Sequence, residues 1–376
     1  MGLSRVAVVA SAQTELRGAW SGAQHIDLIS SVVASVFKGT GMSLDDVDFV
    51  IDSGSDVLDG RSISNCGFLG ALGAHHKEEA RVEEDGLWAA LYGVNKIRSG
   101  ASSVGLIVAY SKPSESSVDA FWNAQVEPFY QRPVGFGHKA ATGIQAQRYL
   151  KAHGGSDRQL AELVAARWSA AEENGGVAID EVPNADTVLE SGAGATPLTR
   201  LMLARPVDGA VAVLIAREDI ARRASRAPVF ITGMGTSMDR HAFGTRDGAT
   251  LASAEAAARM AYGKAGWSGA DADVAEVSGS SAVGELMAIE ALGLAGAGQG
   301  ASVATSGKVA INRSGGALPA APSMATGLLR LAHAARQLST PELYGLNGGA
   351  GGPTKAIAHG AGGVGMQSNC VVTLEV

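Results

Sequence analysis

One phrase of 15 residues occurs twice in the chain, and this internal repeat restricts the fold more than any other feature. The stretch GMSLDDVDFVIDSGS begins at Gly41, and GWSGADADVAEVSGS begins at Gly266. The two stretches align without a gap, so that Asp48 falls on Asp273 and both copies end in Ser-Gly-Ser. A phrase that recurs in this way predicts one structural unit built twice.

The segments around each copy alternate between strand patterns and helical patterns. An apolar strand pattern begins near residue 6 in one half and near residue 229 in the other, and a helical pattern that ends on Gly follows each, at 26–41 and 249–266. A further helix and strand complete each half. Such alternation predicts parallel pairing with right-handed crossovers, and therefore a duplicated α/β fold. The predicted units are residues 1–113 with 205–225, an inserted helical region at 114–204, and residues 226–376.

Composition restricts the partners that we expect. Hydrophobic residues make up 46% of the 376 positions, which is enough for a substantial core. The net charge of −7 favours neither nucleic acid nor an anionic membrane as a partner. The sequence has no apolar run of the roughly 18 residues that a membrane helix needs. Cys66 and Cys370 are too few for a disulfide framework or a zinc site. We therefore expect a cytoplasmic protein with no membrane span and no metal.

Four phrases, in order along the chain, carry a resemblance to a known family. They are QRYLKAHGGSDRQLAELVAARWSAAEEN, RPVDGAVAVLIA, NRSGGALPAAPSMATGLLRLAHAARQL and AHGAGGVGMQSNCVVTLEV. Together with the duplicated halves, they resemble the thiolase superfamily. The phrases AYSKPSES and RPVGFG are similar to those of its bacterial lipid-transfer-protein or sterol-carrier-type members. The resemblance implies a five-layered α-β-α-β-α sandwich, with the inserted region lying over an acyl pocket.

The resemblance also implies ligands and partners. A coenzyme A thioester would be a substrate, and no cofactor would be bound covalently. Because thiolases form dimers, we expect a homodimer or a heteromer with a thiolase-like paralogue. The lipid-transfer-type resemblance adds a small zinc-ribbon/OB-fold protein as a candidate partner.

The positions where thiolases carry their catalytic side chains hold other residues here. The family places its nucleophilic Cys three residues before a helix-starting Gly, and that position, counted back from Gly86, is Glu83. The family's Asn or His motif falls on Ser278–Gly279, and the His of its GHP motif falls on Ala321. The Cys of its C-terminal loop falls on or beside His359. A chain with these residues cannot perform Cys-based Claisen chemistry.

Four side chains remain as candidate catalytic groups. His359, expected in a Gly-rich loop, could act as a general acid or base or donate to an oxyanion, or it could simply bond to backbone. Glu83 could act as a base or, with the two acids after it, cap the next helix. Tyr130 and His138 lie in the inserted region, where each could transfer a proton or pack the loop. The residues predicted to line the substrate or CoA pocket are Ser278, Asn312, Ser314, Gly315, Gly316 and Gly362.

Three functional hypotheses follow. The first is an enzyme that cleaves or forms a carbon–carbon bond in an acyl-CoA without a Cys nucleophile, as in retro-aldol side-chain removal in lipid or steroid breakdown. The second is a non-catalytic subunit paired with an active thiolase-like paralogue. The third is a Cys-dependent thiolase that uses Cys66.

Overall fold

The computed structural model describes residues 4–346 and 352–376, in which helices and strands alternate along the chain. The strands are β1 (Val6–Gln13), β2 (Phe49–Ser53), β3 (Glu78–Val82), β4 (Val104–Ser111), β5 (Ala193–Ala195), β6 (Leu198–Thr199), β7 (Gly209–Arg217), β8 (Val229–Met238), β9 (Val274–Glu276), β10 (Ala310–Ile311), β11 (Lys355–Gly362) and β12 (Ser368–Glu375). The helices are α1 (His25–Val36), α2 (Asp56–Asp59), α3 (Gly86–Arg98), α4 (Val118–Ala124), α5 (His138–His153), α6 (Asp157–Asn174), α7 (Ala185–Leu189), α8 (Glu218–Ala224), α9 (Ala252–Ala265), α10 (Ala282–Ala291), α11 (Gly300–Ser306) and α12 (Thr326–Ser339). Within these two ranges, no helix is both long enough and apolar enough to span a bilayer.

The two halves of the chain arrange their strands in the same order. That order is β3-β2-β4-β7-β1 in the first half and β10-β9-β11-β12-β8 in the second. In the first half β2 pairs in parallel with β3 and β4, and β7 is antiparallel to β4 and β1. In the second half β9 pairs in parallel with β10 and β11, and β12 is antiparallel to β11 and β8. Strands β1 and β8 pair antiparallel and join the halves into one ten-stranded sheet. The duplication predicted from the repeated phrase is therefore confirmed.

The repeated phrase performs the same structural task in both halves. Gly266, directly after α9, and Gly41, five residues after the end of α1, both adopt left-handed backbone, with φ of +79° and +70°. The Asp48 carboxylate then accepts two backbone N–H bonds, of 2.6 and 3.0 Å, at the start of β4. The Asp273 carboxylate accepts two, of 2.8 and 3.0 Å, at the start of β11. Asp48 thus fixes the start of β4, which pairs with β2, and Asp273 fixes the start of β11, which pairs with β9.

Burial of apolar side chains orders the molecule into five layers. Helices α3 and α12 pack against each other and are enclosed by strands of both halves. Helix α1 covers the outer face of the first half. Helices α9 and α10 cover the outer face of the second half. Because both faces of the sheet are covered, its strands are apolar almost throughout. The predicted α-β-α-β-α order is confirmed.

The inserted region is attached to the second half of the chain. It carries α4 to α7 and the short β5–β6 pair, and its helices α5 and α6 pack against α10. On α6, Arg167 forms a buried ion pair with Glu285 of α10, with 2.7 Å between Nε and Oε1. Its other nitrogens donate to the carbonyls of Ala304 and Ile311, each at 3.0 Å. The boundaries 114–204 remain the ones we propose from the sequence.

Candidate active site

A cavity of about 500 Å³ lies between the inserted region and loops of the second half. Its walls come from α4, α5 and α6, from the segment 195–206, and from the chain that follows β9. The end of β11 and the turn that follows it, together residues 361–366, line one end. This volume is within the range of about 300–1,000 Å³ that is usual for small-molecule sites.

The lining combines an apolar surface with a few charged groups. Trp122, Trp168 and Leu201 supply large apolar surfaces. The charged or titratable side chains of the lining are Asp119, His138, Lys139, Arg200 and Arg205. An apolar site with a few converging polar groups is typical of binding sites for small organic ligands.

A carboxylate positions the imidazole of His138, the first residue of α5. Its Nε2 lies 3.3 Å from Oδ1 of Asp119 on α4, and Nζ of Lys139 contacts the other carboxylate oxygen at 2.6 Å. The backbone N–H of His138 donates to Oδ1 of Asn123 at 2.9 Å, which fixes the start of the helix. Burial lowers the pKa of His138 below 6.5, although Asp119 acts to raise it. At pH 7 the imidazole is therefore mainly neutral and able to accept a proton.

Ser278 brings an unpaired hydroxyl to the cavity wall. The residue is 4% exposed, and its Oγ has no hydrogen-bond partner in the part of the protein that the structure describes. The next residue, Gly279, has no room for a side chain because α10 lies close by. A Cβ at this position would be 2.6 Å from the backbone nitrogen of Glu285. A buried hydroxyl without a partner is unfavourable unless something else bonds to it. Ser278 is therefore well placed to meet a ligand.

His359 lies in β11, which contradicts the sequence-based expectation that it sits in a Gly-rich loop. It is fully buried, and its Nε2 lies 2.9 Å from Oδ1 of Asn369. Nδ2 of Asn369 donates to Ser253 and to the carbonyl of Met366, so the amide oxygen must face the imidazole and accept from Nε2–H. Burial lowers the pKa of His359 to about 4, so the ring is neutral at pH 7. His359 does not line the cavity, and a catalytic role for it remains a prediction.

The NRSGG segment supports the cavity from behind. The Glu276 carboxylate accepts from the N–H and Oγ of Ser314, at 3.1 and 2.6 Å. It also accepts from Arg330 at 2.8 Å and from Gln337 at 2.6 Å, and all four residues are buried. This network holds the end of β9, two residues before Ser278.

Two of the six predicted pocket residues, Ser278 and Gly362, line the cavity. The other four lie outside the lining, in the NRSGG segment. Asn312 accepts from the backbone N–H of Val277 at 2.6 Å. Gly315 and Gly316 have φ of +98° and +69°, values that favour glycine. These residues shape the wall, and direct contact with a ligand remains a prediction for them.

Two predicted catalytic residues point to solvent. The Glu83 side chain is 51% exposed; it accepts from the N–H of Asp56 at 2.9 Å and lies 3.4 Å from Arg81. Tyr130 is 82% exposed, on a turn whose backbone N–H groups donate to the Glu127 carboxylate. Neither lines the cavity.

Neither cysteine lines the cavity. Cys66 is exposed, and Cys370 is buried in β12, where burial raises the pKa of its thiol well above 9.0. Within residues 4–346 and 352–376, no three His, Cys, Asp or Glu side chains are grouped so that they could hold a metal ion.

Sequence reasoning missed most charged groups of the cavity. Asp119, Lys139, Arg200 and Arg205 lie in or next to the inserted region, which has no counterpart in the repeat. The charges at 119 and 139 are separated by 20 positions and meet only because α4 and α5 fold side by side. The one available signal was the presence of charged residues within an otherwise aromatic and Gly-rich stretch.

Comparison with known proteins was informative at the level of domain and fold. Residues 235–375 match the family described as thiolase C-terminal domain-like. No curated protein sequence matches the chain. The aldolase Ltp2-ChsH2(DUF35) is 18% identical, with a TM-score of 0.81, and the match covers 98% of each chain.

Two further structures are similar over nearly all of this chain. Human mitochondrial 3-ketoacyl-CoA thiolase is 18% identical, with a TM-score of 0.76 and coverage of 100% of this chain and 99% of that one. Its structure in complex with CoA gives a TM-score of 0.75 at 17% identity and covers 99% and 98% of the two chains. A monomeric SCP2-thiolase-like protein type 1 from Mycobacterium smegmatis is 17% identical, with a TM-score of 0.74, covering 98% of this chain and 76% of that one.

These matches define the class of protein. The chain has the layered α/β thiolase fold. Residues 235–375 also match the family described as thiolase C-terminal domain-like, so that the fold of the whole chain and the sequence of its C-terminal part are both similar to those of thiolases.

Proposed function

We propose that this protein cleaves or forms a carbon–carbon bond in an acyl-CoA without a Cys nucleophile, in the breakdown of lipids or steroids in the cytoplasm. The main supporting observation is a thiolase-fold cavity whose lining carries a His–Asp pair and an unpaired serine hydroxyl but neither cysteine of the chain. The structural similarity to an aldolase and to a 3-ketoacyl-CoA thiolase fits this reaction class.

The proposed reaction is a retro-aldol cleavage of a β-hydroxyacyl-CoA. His138, neutral and held by Asp119, takes the proton of the β-hydroxyl group. As the carbon–carbon bond breaks, its electrons move toward the thioester carbonyl and form an enolate. The Ser278 hydroxyl donates to that oxygen, where negative charge develops. A proton then returns to the α-carbon.

The lining also suits the two parts of a coenzyme A thioester. Trp122, Trp168 and Leu201 offer apolar surface for the acyl group. Arg200, Arg205 and Lys139 offer positive charge for the phosphates of CoA. In this proposal the thioester is the substrate, and no cofactor is bound covalently. The human thiolase solved with CoA shows that this fold can accommodate the molecule.

We further propose that the protein works as an oligomer. The Ltp2-ChsH2(DUF35) aldolase supports a complex with a small zinc-ribbon/OB-fold protein. A homodimer and a heteromer with a thiolase-like paralogue are the other arrangements that we propose.

Turnover of β-hydroxyacyl-CoA tests the proposed reaction. Purified protein, with and without a small zinc-ribbon/OB-fold protein, is incubated with a panel of β-hydroxyacyl-CoA thioesters. Mass spectrometry should detect a carbonyl product together with a shortened acyl-CoA. The His138→Gln variant should lose about 100-fold or more in kcat/KM, as expected for the loss of a general base. Absence of turnover under every condition would contradict the proposal.

The second candidate is a non-catalytic subunit. It is favoured by Ala321 in the lining where the GHP histidine is expected, and by the outward direction of Glu83. Co-expression with a thiolase-like paralogue, followed by size exclusion, distinguishes the two functions. An active homodimer would exclude the subunit role, whereas activity that appears only in the heteromer and survives His138→Gln would favour it.

A further inference from the structure

Two residues of the cavity lining each bury a polar side-chain atom that has no hydrogen-bond partner among the residues that the structure describes. One atom is Oγ of Ser278, which the proposed reaction uses. The other is Nε1 of Trp168, a residue of α6, and the proposed reaction leaves it without a partner. The two atoms differ in chemistry, because a serine hydroxyl both donates and accepts, whereas an indole N–H only donates. Trp168 therefore requires an acceptor.

A buried indole N–H without an acceptor is unfavourable. Trp168 is 7% exposed, and buried tryptophans usually satisfy this group, because an unpaired donor has lost its bond to water without gaining another. Other buried hydroxyls of the lining are satisfied within the protein. Thr142 donates to the carbonyl of His138 at 3.0 Å. Thr326 donates to the carbonyl of Pro322 at 2.9 Å. The unpaired N–H of Trp168 is therefore not a general property of this wall.

The contacts of α6 fix the position of Trp168. Its neighbour Arg167 pairs with Glu285 and donates to two backbone carbonyls. One turn further along, the helix packs directly against the NRSGG segment, since a Cβ at Gly315 would lie 2.5 Å from Cβ of Ala171. A helix held in this way keeps the indole in place. The acceptor therefore comes from the contents of the cavity.

A guanidinium group makes this indole a stronger donor. Cζ of Arg205 lies 5.4 Å from the centroid of the Trp168 ring, and both residues line the cavity. The main chain holds Arg205 there, because its N–H donates to the carbonyl of Leu318 at 3.0 Å and its carbonyl accepts from the N–H of Ala321 at 2.8 Å. A cation over the face of an indole polarises the ring and increases the positive charge on its N–H. The best acceptor is therefore an oxygen that carries partial or full negative charge.

We propose that the indole N–H of Trp168 donates to an oxygen of the acyl group other than the thioester oxygen and the β-hydroxyl oxygen. This inference rests on the proposed function, in which Ser278 meets the first of those two oxygens and His138 meets the second. His138 is held from α4 by Asp119, whereas Trp168 lies on α6 beside Arg205. The substrate class is then a β-hydroxyacyl-CoA whose acyl group carries a further oxygen, as a ketone, a hydroxyl or a carboxylate. Trp168 selects this substrate and takes no part in bond breaking.

A matched series of thioesters tests the assignment. The parent is a straight-chain β-hydroxyacyl-CoA, and each further member carries one ketone oxygen at a different carbon beyond the β-carbon. The wild type should prefer one of these ketones over the parent by about 10-fold in kcat/KM, because only a correctly placed oxygen pairs the buried N–H. A hydroxyl and a carboxylate at the preferred carbon then show which kind of oxygen the site accepts. Equal kcat/KM for the parent and every oxygenated member would overturn the inference.

The variant Trp168→Phe removes the N–H and keeps an aromatic ring. The ratio of kcat/KM for the preferred ketone to kcat/KM for the parent should fall from about 10 to about 1, whatever the overall loss of rate. Trp20→Phe is the control. Trp20 lies outside the lining, and its Nε1 donates to the carbonyl of Glu15 at 3.0 Å, so its loss should leave the ratio unchanged. A Trp168→Phe protein that loses the same factor on both substrates would overturn the inference.

A binding measurement on the wild type separates this inference from the proposed function. The five tryptophans of the chain are labelled with ¹⁵N in the indole ring, and Trp→Phe variants assign their signals. The protein is titrated with thioether analogues of the preferred ketone and of the parent. The ketone analogue should move the indole proton of Trp168 further downfield than the parent analogue does, and neither should move that of Trp20.

The outcomes of the titration are distinguishable. Binding of both analogues with the same shift at Trp168 would overturn the inference alone. Failure of both analogues to bind, together with absence of turnover across the series, would overturn the proposed function and the inference with it.

Discussion

The two Ser-Gly-Ser sequences occupy equivalent places in the two halves and have different surroundings. In the first half, Ser53 donates to the backbone carbonyls of Glu84 and Met324, and Gly54 packs against Arg81 and Tyr110. In the second half, the sequence that begins at Ser278 lines the cavity. One copy therefore joins structural elements, and the other is free to meet a ligand. The two halves share one strand order, and the inserted region packs against the second half, whose Ser-Gly-Ser lines the cavity.

The buried acids beside the two copies differ in the same way. Glu276 in the second half is fully paired with Arg330, Gln337 and Ser314. In the first half, Asp52 lies 3.3 Å from Arg81, which it shares with other acids, and burial raises the pKa of Asp52 to about 7. The acid of the second half thus has a cation and two further hydrogen-bond donors around it, whereas the acid of the first half shares its cation and has a pKa raised to about 7.

The largest expected effect comes from removing the cation of the second half. Arg330→Met leaves the buried Glu276 carboxylate without its charge partner and should lower the free energy of unfolding by about 3–5 kcal/mol. Arg81→Met should cost less, because Asp52 can take up a proton. Urea unfolding at pH 7 measures both, and an equal loss in the two variants would contradict the proposed difference.

The next effect separates the two serines. Ser278→Ala should reduce kcat about 100-fold, because it removes a donor to the developing oxyanion, and should leave stability nearly unchanged. Ser53→Ala should do the reverse and lower stability by about 1 kcal/mol through its lost hydrogen bonds. Steady-state kinetics and thermal melts of both proteins test this, and a loss of stability without a loss of rate in Ser278→Ala would refute it.

Buried groups of the two halves should respond to pH in opposite directions. The pKa of Asp52 is raised from 3.8 to about 7, so its contribution to stability is full below pH 3.8 and is lost as pH rises toward 7. The pKa of His359 is lowered from 6.5 to about 4, so its contribution is full above pH 6.5 and is lost as pH falls toward 4. Each slope is at most about 1.4 kcal/mol per pH unit.

Variants isolate these two slopes. The difference in unfolding free energy between wild type and Asp52→Asn should fall as pH rises from 4 to 7. The difference between wild type and His359→Gln should rise over the same range. Differences that are flat, or that have the same sign of slope in both variants, would show that these groups do not titrate as described.

The smallest effect concerns the shared framework. Asp48→Ala and Asp273→Ala each remove a carboxylate that accepts two backbone N–H bonds. Each should lower the unfolding free energy by about 1–2 kcal/mol, and by similar amounts. A markedly larger loss in one variant would show that the two copies are not structurally equivalent.

The sequence predicts the framework better than the site. Gly41, Gly266, Asp48 and Asp273 act on nearby chain, through backbone geometry and local hydrogen bonds, so their pattern is enough to indicate a duplicated fold. Ser278 was predicted from the resemblance, because the family's Asn or His motif falls on Ser278–Gly279.

The directions of side chains at turns were not predictable. Glu83 and Glu84 are adjacent and chemically alike, and which of them faces the interior depends on how the chain turns between β3 and α3. His359 follows an apolar run in a Gly-rich segment, and pairing with β12 extends the strand through it. The contact of His138 and Lys139 with Asp119 depends on how α4 and α5 pack together. Both helices lie in the inserted region, so the internal repeat gives no information about them.

The most direct test of the central claim is turnover of β-hydroxyacyl-CoA by a protein that has no thiol. In the variant Cys66→Ser with Cys370→Ala, both cysteines of the chain are absent. If the chemistry depends on His138 and Ser278, this variant should keep kcat/KM within a few-fold of the wild type. Loss of turnover in a variant that still melts like the wild type would show that a thiol carries the reaction.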